Sequence, residues 1–441
     1  MLTNILHLSN YNYGNITYVF LCTILVFLMT PGLAFFYGGL VRKKDSLNIM
    51  TKIFLAMGVV SIMWIFGGFS MVFGKDIGGI IGNPFQYFAF RHLLFDINNR
   101  YSTSVPFVMF FMYQLMFAII TLPLMTGATA TRLTIRGWVK FLIVWMILVY
   151  FPVAHWIWGG GFLEKIGFVD FAGGTVIHIT AAFSGLVALW YLGKRADGTK
   201  KDKPSNLGLV GIGAALLLFG WYGFNAGGTM SANDRAAIIF TNTGVAAVVA
   251  MIVWTIISYY HDGHHFSFLQ PLVGAIAGLA TITPASGYVT PRGAIIIGAL
   301  AAIICYLCVQ FADKMGWDDA LDVWGVHGMG GLSGTLLIGF LANPLVNGVH
   351  AGVHQFLIQL AGVAIVIAYV MLITWLILFV LDKITKIRTT KEEQINGLDN
   401  TLLDEKYFGF DNDSILNQNQ LEALKKNTND LKNSNKNPKH K

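Results

Sequence analysis

Residues 170–178 read DFAGGTVIH, from Asp170 to His178, and they open an apolar run that continues through Leu192. The run is long enough to cross a bilayer, so it places a carboxylate at the start of a membrane helix and an imidazole about two turns further in. At roughly 1.5 Å per residue the two groups lie about 12 Å apart along the axis and do not touch. Ionisable groups at that depth are costly, and they usually mark an ion or proton path.

A similar stretch appears late in the chain, where residues 322–331 read DVWGVHGMGG, with Asp322 at the start and His327 inside. One Asp-to-His helix in each half of the chain predicts two halves that meet at a shared pore. The glycines that flank His327 permit an irregular helix and a close approach to its neighbours.

The composition is typical of a membrane protein. Hydrophobic residues make up 55% of the chain and charged residues only 12%, and the mean hydropathy is +0.60. A soluble domain would carry about twice that charged fraction. The net charge of +7 sits largely in short loops and the tail, so it does not indicate a nucleic-acid partner. We expect a protein that lies in the lipid bilayer, is not an enzyme and uses no cofactor.

The apolar runs predict an all-α polytopic protein of about eleven transmembrane helices. They lie at about 17–40, 51–73, 105–127, 137–157, 171–192, 206–224, 236–258, 268–282, 292–312, 322–342 and 351–382. Five spans before the 194–206 loop and five after it should be related by inversion, with the loop as hinge and the transport site at the interface of the halves. His178 on the fifth span and His327 on the tenth would then face each other.

Basic residues predict the orientation, because they are enriched in cytoplasmic loops. They cluster in three alternate loops: Arg42, Lys43 and Lys44; Arg132 and Arg136; Lys194, Arg195, Lys200, Lys201 and Lys203. We therefore expect an extracellular N-terminus over 1–16, a membrane domain over 17–384 and a cytoplasmic tail over 385–441. The tail is polar, and its composition predicts disorder after about residue 410.

Six stretches together resemble the ammonium transporter (Amt/Mep/Rh) family, on its Amt branch. They are FFYGGL at 35–40, AHWIWGGG at 154–161, DFAGGTVIH at 170–178, GWYGFNAG at 220–227, TPASGY at 283–288 and GVHG at 325–328. The resemblance runs from about residue 16 to residue 399. It implies a cell-membrane homotrimer of eleven-helix protomers, each with its own pore for ammonium or ammonia.

The resemblance assigns His178 and His327 to the twin-histidine positions of the pore. A lone histidine on a soluble helix is more often a packing residue, but inside a bilayer the odds reverse. Two imidazoles that share a hydrogen bond could accept and pass a proton, since imidazole titrates near neutral pH. Burial and like charge should both oppose double protonation. We therefore expect this pair to act as a proton relay.

The resemblance also implies an outer ammonium site. Trp158 and Phe117 match the aromatic residues that line it, and Phe224 matches a ring that closes the pore below. Asp170 matches an acid near the outer mouth, although a helix N-terminal cap is the interpretation we favour, and both can be true. Gln114 and Trp221 match further positions near this vestibule with weaker support.

The chain departs from the family at two places. The family often has a serine after Asn-Ala-Gly, where this chain has Gly228, so a hydroxyl is lost unless Thr229 compensates. In the tail, Gly397-Leu398-Asp399 matches the family, but the following His-Gly-Glu portion is not evident. A PII-type regulatory protein at the cytoplasmic face is thus in doubt.

The remaining histidines have simpler interpretations. His155 lies on the fourth span and is predicted to be a helix-packing residue. His261, His264 and His265 lie in a loop where a solvated surface is far more probable than metal binding, so we expect no metal site.

The sequence thus predicts a transporter that binds ammonium outside, removes a proton and conducts ammonia past the two histidines. One alternative is an ammonium sensor that signals through its tail. A second, an intramembrane hydrolase, is disfavoured because no nucleophile motif accompanies the His and Asp residues.

Overall fold

The structure, a computed structural model, describes residues 11–94, 96–196, 203–261 and 263–407. Eleven long helices, numbered α1 to α11 in chain order, form its body. Their bounds are α1 Tyr13–Leu40, α2 Lys43–Phe73, α3 Phe107–Met125, α4 Ile135–Trp145 continued by Met146–Tyr150 and Phe151–Trp158, α5 Gly174–Leu192, α6 Leu207–Thr229, α7 Asp234–His261, α8 Leu269–Ile282, α9 Pro291–Lys314, α10 Trp324–Gly328 continued by Met329–Leu341, and α11 Val353–Ile384.

The predicted all-helical membrane architecture is confirmed. Within the described ranges, nine helical segments are long and apolar enough to cross a membrane. The other two of the eleven are α8, which is shorter at 14 residues, and α10, whose glycines and histidine lower its hydropathy. Both lie where the apolar runs predict spans eight and ten.

The two halves of the chain pack together through equivalent helices. Helix α1 runs along α6, the first helix of the second half, and α5 packs on α10. Glycine makes the first contact close: a Cβ on Gly213 would lie 2.3 Å from the Phe36 nitrogen, and one on Gly220 would lie 2.3 Å from Met29 Cγ. Small residues at such crossings let membrane helices approach closely. In inverted halves, the first helix of one half is expected to pack on the first helix of the other, and the fifth helix on the fifth.

The connecting segments are short or irregular. Between α2 and α3, strands β1 Asp76–Ile77 and β2 Ile81–Gly82 form an antiparallel hairpin, followed by a single turn at Phe88–Phe90. Further short helices lie at Phe162–Lys165, Pro344–Asn347, Lys391–Asn396 and Asp399–Leu403. The middle of the predicted hinge loop and the tail after 407 lie outside the described residues, so the predicted disorder after residue 410 stays a prediction.

Candidate functional site

The two histidines meet in the middle of the helical body. His178 on α5 and His327 on α10 are both buried, and their Nδ1 atoms lie 3.2 Å apart. The rings are nearly parallel, with centroids 5.2 Å apart and planes at 19°. Of two facing imidazole nitrogens, one must donate and the other accept, so the contact holds one proton. Their predicted proximity is observed.

The start of α5 explains how His178 reaches this place. Gly173 has φ of +106°, a left-handed conformation that favours glycine. Gly174–Ile179 then forms a π-helical turn, and the His178 N–H donates to the Gly173 carbonyl at 3.1 Å. Helix α10 begins with the same irregularity, a π-helical turn over Trp324–Gly328. The irregular helix predicted around His327 is therefore present, and π turns are frequent at functional sites.

A narrow cavity surrounds the pair. Most of its lining is hydrocarbon or aromatic, from Met29, Leu33, Phe36, Ile120, Leu124, Ile177, Leu217, Trp221, Phe224 and Ile276, with the histidines and Tyr37 as polar members. Within the described part of the chain, no hydrogen-bond partner meets the buried Nε2 of His178. This nitrogen can therefore form a hydrogen bond with a small polar molecule in the cavity.

Trp221 and Phe224 pack around His178 from α6. The Trp221 indole stacks on the imidazole with centroids 5.5 Å apart, and its Nε1 donates to Thr283 Oγ1 at 2.8 Å. Phe224 lies between His178, 6.3 Å away, and Phe117, 4.4 Å away and stacked on it. The Phe117–Phe224 stack separates the histidine cavity from a second cavity beyond it.

This outer cavity contains the remaining predicted site residues. Phe117, Trp158, Asp170, Gln114 and Gly228 all line it. The Phe117 and Trp158 rings are perpendicular with centroids 6.1 Å apart. Trp158 is fixed by a hydrogen bond of 2.8 Å from its Nε1 to the Asp170 carbonyl. Two aromatic rings and a nearby carboxylate are groups that attract a small cation.

Asp170 caps the start of α5, as the favoured interpretation predicts. Its Oδ1 accepts from the N–H groups of Gly173 and Gly174 at 2.9 and 2.8 Å. Its Oδ2 accepts from those of Thr175 and Val176 at 2.7 and 3.0 Å. Four backbone donors therefore hold a buried carboxylate that also lines the outer cavity.

Asp319, and not Asp322, is the matching cap on α10. The Trp324 N–H donates to Asp319 Oδ2 at 2.7 Å, whereas Asp322 has φ of +57° and precedes the helix. The prediction that Asp322 starts an Asp-to-His helix equivalent to that of Asp170 is therefore wrong. The chain reverses between the two acids, and apolar periodicity carries no signal for such a reversal. Asp322 instead lines a third cavity with His327, on the far side of the pair.

Thr229 does not replace the hydroxyl that Gly228 lacks. Its Oγ1 lies 2.9 Å from the Ala226 carbonyl and 2.8 Å from the Ser231 carbonyl, so its hydrogen is taken by the backbone. Thr229 also does not line the outer cavity, whereas Gly228 does. The suggested compensation is wrong because the hydroxyl caps its own turn.

The tail element Gly397-Leu398-Asp399 docks beside the start of α2. Asp399 accepts from the backbone N–H groups of Leu47 and Asn48 at 3.0 and 2.7 Å, and Asp45 Oδ1 accepts from the Leu398 N–H at 2.9 Å. Burial raises the pKa of the Asp399 carboxyl to about 6, aided by the charges of Asp45 and Glu405. The tail is thus tied to the membrane domain by reciprocal hydrogen bonds.

The other histidines lie away from the cavities around the pair. His155 is buried, with Nδ1 2.6 Å from the Val72 carbonyl and Nε2 3.0 Å from Asp76 Oδ1, so it packs as predicted and also links α4 to the β1 hairpin. His261, His264 and His265 are exposed. The prediction that their loop holds no metal stays a prediction, and Asp262 lies outside the described residues.

Two residues that line these cavities are absent from the predicted site. Tyr37 lines both the histidine cavity and the cavity beyond it, and its hydroxyl donates to the Leu124 carbonyl at 3.1 Å. Its motif, FFYGGL, is visible in the sequence but carries no chemical signature of its own. Glu164 lines the outer cavity from the short helix after Trp158, where nothing in the spacing marks it.

Comparisons with known proteins agree with this geometry. A family model described as "Ammonium Transporter Family" matches residues 17–408. An "Ammonium transporter" of Aquifex aeolicus is 43% identical over 408 residues, which cover 90% of this chain and 94% of that protein. The crystal structure of Saccharomyces cerevisiae Mep2 superposes with a TM-score of 0.81 at 32% identity and covers 87% of this chain and 91% of that one. A solved chain titled "Sensor Amt Protein" matches with a TM-score of 0.81 at 28% identity, over 88% of this chain and 97% of that one.

Proposed function

Because the chain belongs to the ammonium transporter family, we propose that it carries ammonium by deprotonation and conducts ammonia past a histidine pair. The observation that carries this proposal is the 3.2 Å contact between the Nδ1 atoms of His178 and His327 inside an apolar cavity. One proton shared between two buried rings leaves the outer nitrogen of each ring to take part in further transfer.

Recruitment is proposed at the outer aromatic site. Ammonium loses part of its water shell between Trp158 and Phe117, whose rings attract a cation by roughly 2 kcal/mol when desolvated. Asp170 adds negative charge to the same cavity, although its oxygens are held by backbone N–H groups. Its proposed role is therefore electrostatic, without direct coordination of the substrate.

Selectivity is proposed to come from the barrier below this site. The stacked Phe117 and Phe224 rings close the way to the histidines, and the cavity behind them offers a cation little besides apolar surface. An ion such as K⁺ would lose its hydration there without compensation, whereas neutral ammonia would not. Ring movement lets ammonia through to the His178 Nε2, which has no hydrogen-bond partner among the described residues, and the released proton follows through the pair.

Orientation and partners are part of the proposal. The distribution of basic residues supports an orientation with the N-terminus outside and the tail in the cytoplasm. In this proposed orientation the Trp158 cavity faces outward. The family resemblance supports a homotrimer in the cell membrane. A PII-type protein remains a candidate partner at the cytoplasmic face, beside the docked Asp399 segment, and nucleic acid is not expected as a partner.

The proposal is tested by purified protein in planar membranes and in proteoliposomes. Ammonium should evoke a saturable flux, and K⁺ at the same concentration should evoke none. The likeness to a chain titled "Sensor Amt Protein" keeps a sensor as the second candidate. Ammonium binding to intact protein without flux in both systems would favour the sensor and reject the transporter.

A further inference from the structure

An ion pair lies at the mouth of the outer cavity. Arg100 and Glu164 both line that cavity together with Trp158. Arg100 Nη2 lies 2.8 and 2.9 Å from the two carboxylate oxygens of Glu164, and the side chains are 50% and 40% exposed. The way to the aromatic site therefore passes one fixed cation and one fixed anion.

The guanidinium of Arg100 sits in surroundings that suit a cation. Its Cζ lies 5.2 Å from the centroid of the Tyr101 ring, within the range of cation–π attraction. The guanidinium also packs against Gly160, which has φ of +92°. A Cβ at Gly160 would lie 2.9 Å from Arg100 Nη1. A carboxylate, an aromatic face and a bare glycine backbone thus surround a small planar cation.

Glu164 links this place to the aromatic site. Its Oε2 accepts from the Gly160 N–H at 2.7 Å, and Gly160 follows Trp158 by two residues. The same turn is held by a hydrogen bond of 3.0 Å from the Gly161 N–H to the His155 carbonyl. The carboxylate therefore fixes the turn after Trp158 and binds the guanidinium at the same time.

We infer that Glu164, Tyr101 and the Gly160 turn form a peripheral binding site for small cations of the guanidinium and ammonium type, and that Arg100 is its resident cation. Arg100 neutralises Glu164 and so lowers the concentration of ammonium at the cavity mouth. This inference rests on the proposed function for its transport readout. Removing the guanidinium would leave a free carboxylate, which attracts cations over about a Debye length.

The test compares ammonium uptake by proteoliposomes that contain the parent protein, Arg100→Ala, Glu164→Gln or the double variant. Arg91→Ala is the control, because Arg91 is an exposed arginine of the same connecting segment that does not line the cavity. Arg100→Ala should lower the ammonium concentration for half-saturation about twofold to fivefold at low ionic strength, and less at high salt. Arg91→Ala should leave it unchanged. The double variant should not show this decrease in half-saturation, because it has no carboxylate. Its glutamine side chain can still accept from the Gly160 N–H.

Free guanidinium ion provides a second readout. At millimolar guanidinium chloride, with sodium chloride as the ionic-strength control, the half-saturation of Arg100→Ala should return towards the parent value. The same addition should raise the Tm of Arg100→Ala and leave the double variant unchanged. That Tm shift does not depend on transport.

Two results would overturn the inference. One is an Arg100→Ala half-saturation no different from that of Arg91→Ala. The other is a guanidinium effect on Tm that is equal in Arg100→Ala and the double variant. Either result with normal uptake by the parent leaves the proposed function intact, whereas a parent without uptake rejects that function while the Tm comparison still decides the cation site.

Discussion

Asp170 and Asp319 each lie eight residues before one of the two paired histidines, and each accepts from the backbone N–H five residues ahead. The distances are 2.7 Å from Thr175 N to Asp170 Oδ2 and 2.7 Å from Trp324 N to Asp319 Oδ2. Two helices that carry facing imidazoles therefore begin in the same way. The two caps differ in one respect: no hydrogen-bond partner for Asp319 Oδ1 lies in the described part of the chain, although the atom is buried.

This difference predicts unequal effects of amide replacement. Asp170→Asn turns an NH2 group towards two backbone donors, so it should cost on the order of 3 kcal/mol. Asp319→Asn can place its NH2 at the Oδ1 position, which accepts no hydrogen bond in the described part of the chain, and should cost less than about 1 kcal/mol. The measurement is thermal unfolding of both purified variants in the same detergent at pH 7. Equal losses of Tm would contradict the account of the two caps.

Asp319 also predicts a pH dependence. Burial, aided by the nearby charge of Asp322, raises the pKa of the Asp319 carboxyl from 3.8 to about 7. Between pH 4 and 7 this carboxyl is thus protonated in the folded protein and ionised in the unfolded chain. The group therefore makes the free energy of unfolding fall as the pH rises through that range. Asp319→Asn should remove this part of the slope of Tm against pH. An unchanged slope would show that the acid does not titrate in this way.

The outer site offers a test at Gly228. Gly228→Ser should restore a hydroxyl donor to the cavity and lower the ammonium half-saturation about threefold to tenfold, since a hydrogen bond contributes roughly 1 kcal/mol. A Cβ at this position would lie 3.2 Å from the Phe171 ring, a contact that needs a small ring shift. Gly228→Ala is the matched control, because it adds the Cβ without the hydroxyl. The same uptake curve for both variants would exclude a hydroxyl effect.

The tail should dock more tightly as the pH falls. The Asp399 carboxyl has a pKa of about 6 when docked, raised from 3.8. The docked state therefore binds more protons between pH 4 and 6, and docking strengthens as the pH falls through 6. Protease protection of the Asp399 segment should accordingly increase from pH 7 to pH 5 in the parent protein. Asp399→Asn should flatten this profile, and a parallel rise in both proteins would contradict the assignment to Asp399.

Much of the architecture is readable from the sequence because the bilayer constrains it strongly. Apolar runs of sufficient length mark the positions of all eleven helices. His178 and His327 occupy equivalent positions in the two halves of the chain, and this equivalence predicts their contact. Even α8 and α10 are found, although their length or hydropathy is low for a span, since turns and charged residues delimit them.

What the sequence misses depends on local backbone geometry. Asp319 is hidden because the reversal at Asp322 follows from a left-handed φ, which leaves no periodic signal. The hydroxyl of Thr229 is lost to two nearby carbonyl groups, a competition that short polar side chains often meet in turns. The Arg100–Glu164 pair joins residues 64 positions apart, and no spacing rule anticipates such a contact.

The proposed proton relay through His178 and His327 is tested most directly by electrical recording. The measurement is the current evoked by ammonium and by K⁺ for the parent protein, His178→Ala, His327→Ala and the double variant, at matched protein density in planar membranes. If the two rings relay one proton as a unit, each single variant should lose most of the ammonium current, and the double variant should lose little more. The vacated cavity should then also admit some K⁺ current. Additive losses with unchanged selectivity would contradict the relay and leave the histidines as residues of the pore wall.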